Sequence, residues 1–199
     1  MRILRMYPTS INARYIDMLV EALRDGEVVV IPTDTRYALA CDALSNRAVE
    51  HICRLKGIDN RKHPLSIVCA DMSQASEYAV IDNRAFRVLK DTLPGPYTYV
   101  LPARPSLPKV FKGRREVGVR VPDNMIAREL ARELGNPLMT STVNWIDAEE
   151  EDTLMPAAIA EALGQDVSLV VDAGDCSMAR TSVIDLTDSA NPITLRAGS

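Results

Sequence analysis

GEVVVIPTDTRYALACD, residues 26–42, is an apolar run that breaks at Pro32-Thr33-Asp34-Thr35 and then turns apolar again. Four β-branched residues in succession, Val28, Val29, Val30 and Ile31, predict a strand buried on both faces, which belongs in the middle of a sheet. Proline has no amide hydrogen to donate, so Pro32 closes the ladder. Thr33, Asp34 and Thr35 then stand at the strand's end, where open α/β sheets hold ligands. The same residues also satisfy an ordinary Asx or Ser/Thr turn, and the segment alone does not choose between the two.

Upstream of this strand, Ser10 is placed to cap a helix carrying Ile11, Tyr15, Met18, Leu19, Ala22 and Leu23, with Gly26 as its stop. Downstream, Ser45 caps a second helix with the apolar stripe Ala48, Val49, Ile52, Cys53 and Leu55. That helix ends at Gly57 and leaves Lys56 at its C-terminus, where the helix dipole favours a cation. Residues 65–69 read as a short buried strand, and Asp71 and Asn83 open two further helices. Pro94-Gly95-Pro96 is a turn. Strands are expected at 97–101 and 117–121, where alternation turns Arg120 away from Val119 and Val121 and brings it out at a strand end. Asp123 or Asn124 caps a helix that Gly135 closes. Strands at 138–141, 167–171, 182–186 and 193–195 and a helix over 156–163 complete the chain, while 146–154, IDAEEEDTL, read as an acidic, solvated connector. Helices and strands interleave, yet several strands follow one another through short turns. The expected class is therefore α+β: a twisted mixed parallel and antiparallel sheet flanked by helices, in a single domain over 1–199.

A chain of 199 residues with 47% hydrophobic and 25% charged residues has the composition of an ordinary globular protein with one sizeable core. No apolar stretch approaches the ~20 residues of a membrane span. The opening Met-Arg-Ile-Leu-Arg-Met is too short and polar for a signal peptide, so a cytoplasmic protein with no membrane partner is expected. Cys41, Cys53, Cys69 and Cys176 contain no CxxC pair and read as reduced thiols. His51 and His63 are the only histidines, no spacing suggests zinc, and no protein metal site is expected. A net charge of −4 argues against bulk nucleic-acid binding. Two basic clusters nevertheless stand out: Arg54, Lys56, Arg61 and Lys62, and then Lys109, Lys112, Arg114, Arg115 and Arg120.

The chain has neither GxxxxGK[ST] nor GxGxxG, so a nucleotide would be held by scattered donors that the fold brings together. The candidates are the cations Lys56, Arg61, Lys62, Arg120 and Arg196, with hydroxyl or amide groups at Thr33, Thr35, Ser141, Thr142, Asn144 and Ser182. Most lie at or just beyond the end of an expected strand or helix, where pre-organised sites are assembled. No nucleophile and base stand out as a pair, so positioning and charge neutralisation would supply any catalysis.

Seven segments carry a family resemblance, in order along nearly the whole chain: PTDTRYALACDA from Pro32, LKGIDNRKHPL from Leu55, LPGPYTYVL from Leu93, VGVRVP from Val117, STVN from Ser141, TSVIDLT from Thr181 and LRAG from Leu195. They resemble the YrdC/YciO family of threonylcarbamoyl-AMP synthases. The resemblance implies a mixed sheet with a concave, positive cleft. It also implies a reaction in which L-threonine and bicarbonate form a carbamate that attacks the α-phosphate of ATP, with Mg2+ present, to give threonylcarbamoyl-AMP and pyrophosphate. Downstream tRNA-modifying proteins would pass the group to an adenosine of tRNA. Carried onto this sequence, Lys56 and Arg120 take catalytic roles. The nucleotide falls to Lys56, Arg61, Lys62, Ser141, Thr142, Asn144 and Arg196, and L-threonine to Thr33, Thr35, Tyr37 and Ser182. An anionic carbamate attacking an anionic phosphate needs such a set of cations.

The departures from the family pattern point to its YciO-like branch. Members commonly carry Lys-x-Arg-Pro, whereas this chain has Lys56-Gly57-Ile58-Asp59 before His63-Pro64-Leu65. Ile58 has nothing to donate to a phosphate, and Arg61 or Lys62 on the same loop are the substitutes at hand. Ala38 replaces a usual glycine, and Arg36 stands where an apolar residue is common. The alternative is accordingly a YciO-like protein that binds a nucleotide or RNA, whether tRNA or double-stranded RNA, without efficient synthase activity. A third option is an enzyme of the same fold acting on another amine or carbamate, with Arg36 and Ala38 responsible.

Overall fold

The strands are β1 (Arg2–Arg5), β2 (Val29–Ile31), β3 (Ala38–Asp42), β4 (Ser66–Val68), β5 (Tyr97–Pro102), β6 (Glu116–Arg120), β7 (Leu138–Thr142), β8 (Leu169–Asp172), β9 (Ser182–Asp185) and β10 (Ile193–Arg196). The helices are α1 (Ala13–Arg24), α2 (Asn46–Leu55), α3 (Met72–Tyr78), α4 (Asn83–Thr92), α5 (Met125–Leu134) and α6 (Pro156–Leu163). This computed structural model describes residues 1–59, 65–107, 111, 114–145, 148–174 and 176–199.

All ten strands join one sheet in the order β1-β8-β2-β3-β7-β4-β6-β5-β9-β10. The β1–β8, β8–β2, β4–β6 and β5–β9 pairs are parallel and the other five neighbours antiparallel, which is the mixed sheet expected from the sequence. Strand β2 lies inside the sheet and is buried throughout, as its unbroken β-branched run requires.

One face of the sheet is covered along most of its width. Val30, Leu39, Cys41, Ile67, Met139, Tyr99 and Val119 pack there against Val49 and Ile52 of α2, Ala75 of α3, Leu89 of α4 and Ile159 of α6. Each buried Val, Leu or Ile contributes roughly 1.5–3 kcal/mol. The opposite face is covered on only part of its width. There Val29, Ile31, Ala40, Val68, Leu138, Leu169 and Val171 meet Leu19 and Leu23 of α1 and Ile126 and Leu130 of α5. The cluster beneath α1 and α5 includes no residue of β5, β6 or β9, and this difference between the faces creates the cleft described below.

Local signals account for most helix ends. Ser45, Asp71 and Asn124 accept from the first-turn amides of α2, α3 and α5, and Gly135 closes α5 in the left-handed region at φ 76°. Helix α1 differs from expectation: Asn12, not Ser10, accepts from the Tyr15 amide, and Ser10 instead bridges to Tyr7. Strand β1 has no strong sequence signal, since only Leu4 among its residues is buried. The acidic connector also departs from the reading of a merely solvated segment. Thr153 and Leu154 are buried, and Glu150 pairs with two arginines.

Candidate functional site

Strand periodicity builds the floor of the site. In β7, Leu138, Thr140 and Thr142 share one face; Leu138 lies under α5, and the two threonines lie beyond it. In β4, Val68 is covered and Ser66 is not. Glu116, Gly118 and Arg120 of β6, Thr98 and Val100 of β5, and Val183 and Asp185 of β9 continue the same open face. Registers fix their neighbours: Ser66 beside Gly118 and Thr140, Gly118 beside Val100, and Thr98 beside Val183. Where helices stop covering this face, Ser, Thr, Gly and Arg enter beside the aliphatics Val100 and Val183. The result is a cavity of about 320 Å³. Gly118 is required here, because a Cβ at that position would be driven into Ser66 Oγ and would sit 3.2 Å from Thr98 Cγ2.

Two further cavities adjoin the first. One, of about 200 Å³, shares Arg120, Thr142, Thr181 and Arg196 and adds Thr35, Arg36 and Arg180. The other, of about 320 Å³, holds Arg36, Thr142 and Arg180 together with Lys56, Asn144 and Glu150. Thr142 borders all three, so they form one continuous cleft. Among the described residues, six cations line it (Arg36, Lys56, Arg114, Arg120, Arg180 and Arg196) against the three acids Glu116, Glu150 and Asp185. A chain of net charge −4 thus concentrates positive charge in this cleft.

Each of the main cations is held. Arg120 Nη2 donates to Asp34 Oδ1 at 3.0 Å, with both side chains at most 10% exposed. Asp34 Oδ2 accepts from the Asp123 amide at 3.0 Å, so one carboxylate ties the 32–35 turn both to the guanidinium and to the start of α5. Burial lowers the Arg120 pKa despite Asp34, which raises it, and nearby Arg196 lowers it further. Lys56 Nζ donates to the Thr142 carbonyl at 2.9 Å, and burial lowers its pKa. Arg196 Nη2 donates to Thr181 O and Thr181 Oγ1, each at 3.0 Å. Arg36 Nη2 donates to Met178 O at 2.8 Å and to Glu150, whose Oε1 also accepts from Arg180 Nη2 at 3.2 Å. Those two arginines depress the Glu150 pKa. The buried Nε atoms of Arg36 and Arg120 have no acceptor among the described residues. Such orphaned donors cost about 1–3 kcal/mol each, and both belong to side chains that line the cleft.

Of the residues singled out from sequence, Thr35, Lys56, Arg120, Thr142, Asn144 and Arg196 meet in this cleft. Four others do not line its cavities, and each has a physical reason. Thr33 Oγ1 is spent inside the turn, donating to Arg36 O at 2.7 Å and accepting from the Thr35 amide. The Tyr37 ring is fully buried, and its hydroxyl donates to Gly174 O at 2.7 Å and accepts from the Ala173 amide. Ser141 pairs with Leu39, and Ser182 with Tyr97, which puts both on the helix-covered face. Ser182 Oγ accepts from the Gly198 amide. Arg61 and Lys62, with His63, lie outside the described residues. Thr181, Arg180, Arg114, Thr98, Ser66 and Gly118 were not singled out as site residues from sequence. The period-two phase of β9, with Val183 and Asp185 on the cleft face, was the signal that selects Thr181 over Ser182.

Among the described residues no three His, Cys, Asp or Glu side chains converge as a metal site, and no helix is long and apolar enough to cross a membrane. Cys41, Cys53 and Cys69 are buried free thiols whose pKa values burial pushes up, which leaves them poor nucleophiles.

A mixed α+β sheet with part of one face open, floored in part by hydroxyls and walled by held guanidinium groups, defines the class: a mixed-sheet protein with a cation-lined cleft. Residues 21–198 match the family model Sua5_yciO_yrdC, described as telomere recombination. The chain belongs to this Sua5/YciO/YrdC family. It is 35% identical to YciO of Escherichia coli K12 over 195 residues, 97% of this chain and 93% of that one. The E. coli YciO crystal structure superposes with a TM-score of 0.89, covering 98% of this chain and 95% of the other at 34% identity. A putative threonylcarbamoyl-AMP synthase of Methanocaldococcus jannaschii is 30% identical over 199 residues, 99% of this chain and 93% of the relative. P. abyssi Sua5, solved in complex with L-threonine, matches with a TM-score of 0.86 at 29% identity; all of this chain is covered but only 57% of Sua5.

Proposed function

We propose that this protein joins L-threonine, bicarbonate and ATP into threonylcarbamoyl-AMP, releasing pyrophosphate and water, for transfer to tRNA adenosine by downstream tRNA-modifying proteins. The observation that carries this reading is the convergence of Lys56, Arg120, Arg196, Thr142 and Asn144 on one cleft floored by Ser66, Thr98, Gly118 and Thr140. In the reaction, water leaves as threonine's amine adds to bicarbonate. A carbamate oxygen then bonds to the α-phosphorus as the bond to the β-phosphate oxygen breaks. Both reactants are anions, so the barrier falls when fixed cations offset their repulsion and hold them in line. Arg120, held by Asp34, and Lys56, held by the Thr142 carbonyl, are such cations. Mg2+ would arrive as part of the metal–nucleotide substrate, whose phosphates and waters supply most of its ligands, so it needs no cage of protein carboxylates. Relatives named as synthases support the reading, as does the L-threonine complex of Sua5.

Purified protein supplied with ATP, Mg2+, bicarbonate and L-threonine should release pyrophosphate only when threonine is present. Lys56→Ala or Arg120→Ala should lower that rate by about a hundredfold. Pyrophosphate release that ignores threonine defeats the assignment.

One observation favours the second reading, a nucleotide- or RNA-binding protein with little turnover. Ile58 packs against the main core cluster, so no donor stands at that position. Binding to tRNA or double-stranded RNA that weakens steeply with salt, with no ATP turnover, would select it. Ile58→Arg, on this reading, would raise turnover.

A further inference from the structure

Glu150 is the acid set between two of the cleft's arginines. Its Oε1 accepts from both Arg36 and Arg180, in the cavity that also holds Lys56 and Asn144. Arg36 does not depend on this partner for its position. Thr33 Oγ1 anchors its backbone carbonyl, its Nη2 also donates to Met178 O, and its side chain is 14% exposed. Glu150 is 44% exposed, so the acid lies on the solvent side and the arginine on the protein side. The segment behind Glu150 is anchored by buried Thr153, whose Oγ1 donates to Glu150 O, and by buried Leu154. A change of side-chain rotamer is therefore enough to free the fork, and the loop itself need not leave.

Resting on the synthase reading above, we propose that the Arg36–Arg180 fork is a diphosphate subsite which the Glu150 carboxylate fills in the empty protein and yields to the terminal phosphates of the nucleotide. Two guanidinium groups and the Lys56 ammonium match a multiply charged diphosphate better than the single charge of a carboxylate, and planar guanidinium groups bind phosphate oxygens in pairs. The same competition works in reverse once the α–β bond has broken: Glu150 takes back the arginines as free pyrophosphate departs. It is an internal competitor that limits product retention, acting through the fork and not on the reacting atoms.

The test is titration calorimetry with sodium pyrophosphate at fixed low salt on the wild type, Glu150→Gln, Arg180→Gln and the double variant. Exposed ion pairs shift an equilibrium by up to about fivefold, so Glu150→Gln should tighten pyrophosphate binding by about two- to fivefold. Arg180→Gln should weaken it by about tenfold or more, and the double variant should follow Arg180→Gln. Thermal melts of the four proteins check that each is folded, and Glu150→Ala replaces Glu150→Gln if that variant is not. Unchanged, weaker or undetectable pyrophosphate binding by the folded Glu150 variant overturns the proposal. The two readings fail differently. Without synthase activity, pyrophosphate binding would still respond to Glu150 while threonine-dependent turnover was absent. Without the latch, turnover would occur while pyrophosphate affinity ignored Glu150.

Discussion

Asp34→Ala probes the turn at the end of β2. The substitution removes the only carboxylate paired with Arg120 among the described residues and also the acceptor of the Asp123 amide. At 3.0 Å and an effective dielectric near 20, the gross attraction within the pair is about 5 kcal/mol. Much of it offsets the cost of burying both charges, since the side chains of Arg120 and Asp34 are only 10% and 6% exposed. Removing one partner leaves the other charge buried and uncompensated, which costs about 3–5 kcal/mol. For a chain of this size each kcal/mol moves the melting temperature by about 2–4 °C, so a loss of roughly 6–20 °C is expected. Replacing both residues, Asp34→Ala with Arg120→Met, removes the stranded charge and should recover part of the loss. Pyrophosphate release should be lost in the double variant all the same, since Arg120 is gone. Urea unfolding with pyrophosphate release assayed in parallel separates these effects. A single variant destabilised by less than about 1 kcal/mol, or a double variant losing as much as the two singles together, refutes the counter-ion role of Asp34.

Two further outcomes follow from the same structure. Asn124 caps α5 through the Ile126 and Ala127 amides and donates Nδ2 to Thr33 O at 3.3 Å; Asn124→Ala should cost about 1–2 kcal/mol in urea unfolding, and a cost below about 0.5 kcal/mol would deny that the cap braces the turn. Acid should destabilise the fold through three carboxylates with depressed pKa values: Asp82, by the Ser189 hydroxyl and its α4 capping amides; Glu150, by Arg36 and Arg180; and Asp188, by Asn191 and the Ala190 amide. Because the unfolded chain binds these protons more readily, their stabilisation is complete above the ordinary carboxylate range of about 4 to 4.5 and is lost as pH falls through the folded values. Melting temperatures between pH 7 and 2 should therefore fall at the acid end, less steeply in Asp82→Asn, and a flat profile contradicts the assignment.

Short-range patterns carried most of the fold into the sequence. The β-branched run of β2, the caps Ser45, Asp71 and Asn124 and the stop at Gly135 act within a few residues of where they are read. Strand β1 escaped because it is an edge strand with one buried residue, held by its parallel pairing with β8 far along the chain. The cations Lys56, Arg120 and Arg196 were legible as charges placed at the ends of elements. The hydroxyls were harder. Ser141 and Ser182 each lie one residue from a cleft-facing threonine, and a one-residue step in a strand reverses the face. Which face is open depends on how far α1 and α5 reach across the sheet, a tertiary fact with no local signature. The pairing of Glu150 with Arg36 and Arg180 likewise joins segments that only the folded chain brings together.

The floor of the cleft also sets an order of assembly. Ser66, Thr98, Gly118, Thr140 and Val183 come from five strands in the spatial sequence β7-β4-β6-β5-β9, so their chain order and their order across the sheet differ. Residues 66–142 carry four of these five positions on β4, β5, β6 and β7, whereas the Thr181–Arg196 wall comes from β9 and β10, later in the chain. During synthesis, then, the cleft has most of its floor but lacks the Thr181–Arg196 wall until β9 and β10 have emerged and paired. Closure of that wall reports a completed topology, and protease protection of truncated chains would read it out.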